Sequence, residues 1–283
     1  MKKKKILGIL ILLAGLALLI FPFASMIVQD IRQIQADANY SKYSQNNKEE
    51  LEKQHKEVAE LSLDSNGVQD IFSQDKKNAS EQKSPYDDVL DTQQSVGRLD
   101  LPSIGQNFDL YLDADYDKLA RGVATLVGTG APLGIKGQRP IIAGHRIMYN
   151  SMSFYLLPEM QKGDKIYINF LGQDLEYQVF SKEIIDEYDT EKLAPSENED
   201  VITLMTCYNA PDYDQRYLVN ARRVDREQEK APTNSGTITS LMTSKDSKLS
   251  IKAIRLAPYL ILILALLAML FFIRKLLQLI TEK

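Results

Sequence analysis

Three side chains in the 283-residue sequence carry most of its chemical potential: Cys207, the only cysteine; His145, one of two histidines; and Arg216, nine residues beyond the cysteine. A free thiol has a pKa near ~8.5 and is mostly protonated at neutral pH. A nucleophilic cysteine therefore needs a neighbour that favours the thiolate and returns a proton to the leaving group. His145 suits that work. The other histidine, His55, stands between Gln54 and Lys56 in a charged run and reads as a solvated surface residue. Arg216 offers a guanidinium that keeps its charge and donates in a fixed fork, which suits a developing oxyanion or a substrate carbonyl. Arg146, Arg222 and Arg223 carry the same group and are not separated from it at this level.

These residues need rigid elements to bring them together. Cys207 follows the β-rich run Val201-Ile202-Thr203-Leu204-Met205-Thr206 and precedes the turn signal Tyr208-Asn209-Ala210-Pro211, so it belongs at a strand end. His145 likewise ends the run Pro140-Ile141-Ile142-Ala143-Gly144. Further strand-like runs are expected at 97–101, 108–112, 165–170, 175–185 and 217–224, with clear alternation in Lys165-Ile166-Tyr167-Ile168-Asn169-Phe170. Short strands without long helices between them predict a closed or nearly closed antiparallel barrel over residues 97–225.

The flanks differ in kind. Lys2 to Lys5 precede the uncharged run Ile6–Val28, whose 23 residues would rise about 35 Å as a helix, enough to cross a hydrocarbon core of ~30 Å. The run is long for a signal peptide and is read as an uncleaved anchor, with Ala24-Ser25-Met26 the weak alternative cleavage site. Residues 29–63 are polar and helix-prone, 64–96 read as a polar loop, and 226–255 as a linker with room for a short helix. A second uncharged run, 256–273, is long enough to span, and 274–283 form a tail. Lysines retained in the cytoplasm would place residues 29–255 outside, with both termini inside.

Composition narrows the function. Residues 1–28 hold four Lys and no acid, and residues 256–283 hold three basic residues and one acid. Of 34 basic and 38 acidic residues this leaves 27 and 37 between them, a net charge of −10. So acidic a body is unsuited to nucleic acid. One cysteine also excludes an intrachain disulfide or a multi-thiolate metal centre, and no metal site or cofactor is expected.

Thr203-Leu204-Met205-Thr206-Cys207, with Arg216 nine residues on, resembles the Thr-Leu-x-Thr-Cys signature and following Arg of the sortases of Gram-positive bacteria. Ala143-Gly144-His145-Arg146 resembles their His motif, and Lys162-Gly163-Asp164 their Lys-Gly-Asp turn. The resemblance implies a mainly β fold: an eight-stranded sortase barrel with N-terminal helices and a lid, flanked here by two membrane helices. It also implies a cysteine transpeptidase. Cys207 would attack the Thr–Gly bond of a Leu-Pro-x-Thr-Gly-like signal, His145 would protonate the departing amine, and Arg216 would stabilise the oxyanion. The second membrane segment and the long region before the barrel resemble class C, whose members polymerise pilin subunits through a lysine of the next subunit. The alternative is a housekeeping sortase that anchors surface proteins to the cell wall. Class C members carry an Asp-Pro-aromatic lid. Ser84-Pro85-Tyr86 is read as its counterpart, with Tyr86 over Cys207; Ser84 departs from the acid of the motif, so either Asp87 substitutes for it or the lid is held more loosely.

Overall fold

The computed structural model describes residues 2–62, 72, 84–146, 153–195, 198–224, 237–244 and 247–281. The rest of the 64–83 stretch and residues 226–236 lie outside the described residues. Eight strands close into a barrel in the order β1-β2-β3-β4-β7-β8-β6-β5. They are β1 (Gly97–Leu101), β2 (Gln106–Tyr111), β3 (Val123–Thr125), β4 (Ile141–Ala143), β5 (Lys165–Phe170), β6 (Gln173–Asp186), β7 (Val201–Tyr208) and β8 (Gln215–Arg223).

The barrel is closed as expected, but it is not wholly antiparallel. β2 pairs parallel with β3, and β4 pairs parallel with β7. The first of these needs a crossover, which α3 (Tyr116–Arg121) supplies. Asp115 starts that helix by accepting from Lys118 N at 2.7 Å. β3 is the strand that the sequence pattern passes over, because three residues show no period.

Alternation gives the strands two faces. Phe108, Leu110, Ile142, Ile202, Leu204, Val219 and Ala221 join the large core cluster. The residues that alternate with these along the strands, Tyr111, Ala124, Ile141, Ala143, Met205, Leu218 and Ile185, form a second apolar cluster on the opposite face, with Leu119 and Leu193 over it. Each fully buried side chain of this size contributes about 1.5–3 kcal/mol. Burial on both faces, more than their few ladder bonds, holds the three-residue β3 and β4.

The helices differ in extent from expectation. α1 (Lys2–Asn46) continues unbroken past residue 28, and its later part lies along β1. There Arg98, 2% exposed, is held by Asp37 at 3.3 Å and by Asp109, and Tyr40 Oη donates to Val96 O at 3.1 Å. α2 (Lys48–Ser62) buries Leu51 and Val58. His55 on this helix is not solvated as its neighbours suggested. It is half-buried, with its ring 6.2 Å from that of Phe170, and desolvation lowers its pKa. α4 (Ile238–Thr243) falls in the expected linker, capped by Thr237 and packed by Leu241 against the turn Pro102–Ile104 that joins β1 to β2. α5 (Leu249–Thr281) contains the second apolar run and continues through Arg274 and Lys275. α1 and α5 are both long and apolar enough to cross a membrane.

Candidate active site

The register of three adjacent strands builds the site. β4 pairs with β7 as Ile141 with Thr203, Ile142 with Leu204 and Ala143 with Met205. The same offset carried two residues further sets His145 level with Cys207. Two bonds extend the pairing past the end of β4: Gly144 N donates to Met205 O at 3.1 Å, and Thr206 Oγ1 donates to Gly144 O at 2.8 Å. On the other side, Cys207 is the direct register partner of Arg216 in β8. Strands lie ~4.8 Å apart, so the Cys207 backbone has His145 on one side and Arg216 on the other, each about one strand spacing away. All three continue the second-cluster rows, Ile141-Ala143-His145, Met205-Cys207 and Arg216-Leu218, and so point out of the barrel wall.

Each polar member has a support. Arg216 is 1% exposed and donates to Glu187 Oε2 at 2.9 Å and to the carbonyls of Tyr213 and Gln215 at 2.7 and 3.1 Å. Phe154 N donates to His145 O at 2.7 Å, and the Tyr116 ring is stacked 6.4 Å from the His145 ring. The threonines of the run before Cys207 hold the strand in place. Thr203 Oγ1 donates to Asn220 Oδ1 at 2.9 Å and accepts from Arg139 Nε at 2.8 Å. Arg139 also donates to Lys192 O and Ala194 O at 2.7 and 3.1 Å, which ties the turn Thr190–Leu193 beside the site to β7. Burial pushes the pKa of Arg139 down, with the Glu183 carboxylate opposing the shift.

Phe72 covers this site. Its ring centroid is 5.8 Å from that of His145, and the Arg216 guanidinium carbon lies 5.6 Å from its centre. A cation over an aromatic face is attracted to it.

A sortase domain profile matches residues 99–224. The chain is 33% identical over 90 residues to a putative sortase of Bacillus subtilis, a match covering 32% of this chain and 86% of that protein. The chain belongs to the sortase family. It is also 30% identical over 130 residues to sortase A of Bacillus anthracis, where the match spans 46% of this chain and only 60% of the relative. Among solved structures, sortase C-3 from Streptococcus pneumoniae is 30% identical with a TM-score of 0.60, covering 68% of this chain and 90% of that one. A second pneumococcal sortase C is 26% identical with a TM-score of 0.62, covering 68% and 97%.

Within this sortase, Cys207, His145 and Arg216 come together, and the rival arginines do not join them. Arg222 and Arg223 lie at the far end of β8, against Phe180 and Tyr177. The Arg146 guanidinium is 4.8 Å over the Tyr208 ring. The reading of Ser84, Pro85 and Tyr86 as the lid is corrected. Tyr86 is 3% exposed within the large core cluster, and its buried hydroxyl lies 2.9 Å from Ser62 Oγ. Ser84 Oγ donates to Asp113, whose carboxyl pKa is raised by burial. Asp87 does not replace a lid acid on Arg216. It closes its own turn, accepting from Ser84 N at 3.1 Å and from Thr92 Oγ1 at 2.5 Å. A signal for Phe72 was present in the sequence: Asp70-Ile71-Phe72 keeps the acid and the aromatic of the lid motif and departs only at the proline. Glu187 carried no sequence signal, because its role depends on a contact across the barrel rim.

Proposed function

We propose that this sortase is a cysteine transpeptidase of class C that joins pilin subunits. Phe72, lying over both His145 and Arg216, carries the reading: an aromatic cover is what a self-shielded class C site requires. The pneumococcal sortase C likeness supports it, one of those structures having been described in connection with pilin substrate specificity. So does the second apolar helix after the barrel.

The chemistry divides among the three residues. The Cys207 thiolate adds to the threonine carbonyl of a Leu-Pro-x-Thr-Gly-like signal, and the negative charge that collects on the oxygen is held by Arg216. As the tetrahedral species collapses, the C–N bond breaks and His145 gives its proton to the departing glycine amine, leaving a thioacyl enzyme. A pilin lysine amine then attacks the thioester. His145 takes its proton, the C–S bond breaks and an isopeptide bond remains. The anchored ends would put Lys2 to Lys5 and the tail inside the cell membrane and the barrel outside. The 30% identity to a sortase A favours a second reading, a housekeeping enzyme with a cell-wall amine as acceptor.

Mass spectrometry of the protein incubated with sorting-signal peptide and pilin tests the reading. A thioacyl adduct on Cys207 and a pilin–pilin isopeptide bond are expected, and Cys207→Ala should show neither. An adduct resolved only by a cell-wall amine would favour the second reading.

A further inference from the structure

The catalytic end of the barrel is also the end that meets the two apolar helices. β4 and β7 run toward the end where His145 and Cys207 lie. β1 runs the same way and leads into the Pro102–Ile104 turn on which α4 packs. The turn Phe154–Glu159 joins the site to the root of α5. Its first residue bonds the His145 carbonyl, and Glu159 Oε2 meets Lys248 Nζ at 3.2 Å, one residue before the helix. At ~2.0 Å per residue that turn spans roughly 10 Å. α1 passes the same end and then descends along β1. Asp37 reaches Arg98, and Tyr40, further on, reaches Val96, two positions earlier in the strand. The apolar part of α1 therefore projects beyond the catalytic end, not the opposite one.

The two helices are joined where they leave the barrel. The Asp30 carboxylate, on a side chain 9% exposed, accepts from Arg255 Nη2 at 3.0 Å and from Tyr259 Oη at 2.9 Å. Arg255 is the last charged residue before the uncharged run of α5, and Asp30 the first after that of α1.

We propose that Asp30, Arg255 and Tyr259 form a clasp that holds the catalytic end of the barrel facing the bilayer at a set height. The clasp thereby sets how far from the bilayer the scissile bond of a membrane-anchored substrate must lie. This rests on the transpeptidase reading above and on α1 and α5 spanning the bilayer. From Lys248 to Leu256, where the uncharged run begins, α5 rises about 12 Å, and the Phe154–Glu159 turn adds up to ~10 Å. A fully extended peptide covers ~12–22 Å in about four to seven residues. The preferred substrate therefore has its scissile bond about that many residues from its own apolar segment. Asp30, Arg255 and Tyr259 act as positioning residues and touch no reacting atom.

The test uses the full-length protein in vesicles of equal parts phosphatidylglycerol and phosphatidylcholine. Its substrates are sorting-signal peptides joined by spacers of graded length to an apolar helix in the same vesicles, and the same peptide without the helix. Wild-type turnover of the anchored series should peak at a spacer of about four to seven residues and fall about threefold at twice that length, as the effective concentration drops. Asp30→Ala combined with Arg255→Ala removes both charges. It should flatten the profile while leaving turnover of the free peptide unchanged, and the exchange Asp30→Arg with Arg255→Asp should restore the peak. A flat wild-type profile, or a peak that survives in the double variant, overturns the proposal. If the double variant also loses free-peptide turnover, the wild-type profile decides alone. Absence of free-peptide turnover by the wild type would overturn the transpeptidase reading and the proposal with it.

Discussion

At the scale of single residues, chemistry was more legible than contact. Cys207 and His145 were readable because a thiol nucleophile needs a proton carrier and the sequence has one cysteine and two histidines, whereas Arg216 was one of four arginines that chemistry alone did not separate. Which aromatic covers them was less plain, because Asp70-Ile71-Phe72 and Ser84-Pro85-Tyr86 each keep only part of the Asp-Pro-aromatic pattern. The hydroxyl separates them. Tyr86 has a polar end that must find a partner when buried, and finds Ser62; Phe72 has none and can lie flat across a site. Two substitutions should therefore behave oppositely. Phe72→Ala should speed labelling of Cys207 by a small maleimide severalfold with a stability change under about 1 kcal/mol, since the ring is on the surface of the fold. Tyr86→Ala should cost about 3 kcal/mol or more, from the emptied core position and the lost bond, and leave labelling of the folded protein unchanged. Cys207 is the only thiol, so label uptake reports this site alone. Equal labelling of Phe72→Ala and wild type would show that the ring does not guard the thiol.

At the scale of elements, the long alternating strands and the apolar run of β4 were readable, whereas β3 and the parallel pairings were not. β5 and β6 show a period of two over enough residues to be seen. β3 and β4 have three residues each and exist because the barrel buries both of their faces. The same closeness of packing explains Gly144, the residue between β4 and His145. A Cβ there would come within 2.7 Å of Phe154 Cδ2. Phe154 cannot retreat, because it is fully buried and set edge-on against Phe108 with ring centroids 5.2 Å apart. Its backbone N–H also holds the His145 carbonyl, so pushing the ring moves the histidine. Gly144→Ala is expected to lose about 1–3 kcal/mol of stability through overpacking. It should also lower kcat on a free peptide more than it changes KM, because the proton carrier shifts while the peptide groove does not. A thermal melt with steady-state kinetics checks both. A variant with unaltered kcat would show that His145 is positioned independently of Phe154.

At the scale of the whole molecule, the expected boundary at residue 28 marks a change of solvent, not of structure. Hydropathy locates where a helix leaves an apolar medium, but what keeps it helical afterwards is the surface it meets, which lies far away in sequence. That surface is β1 and β2, where Arg98 is almost wholly buried between Asp109 of the barrel and Asp37 of α1, with Gln33 O also in reach at 3.4 Å. A buried guanidinium that loses one of its carboxylates is costly, about 3–5 kcal/mol in comparable cases. The helical segment after residue 28 is therefore part of the catalytic unit. A fragment of residues 29–224 should melt roughly 10 °C above one of residues 48–224, given about 2–4 °C per kcal/mol for a chain of this size. Asp37→Asn in the longer fragment should reproduce part of that loss, because the amide keeps the shape and removes the charge. Calorimetry on the three proteins checks the ordering. Equal melting temperatures for the two fragments would mean that Arg98 is satisfied by the barrel alone and that α1 is only a stalk.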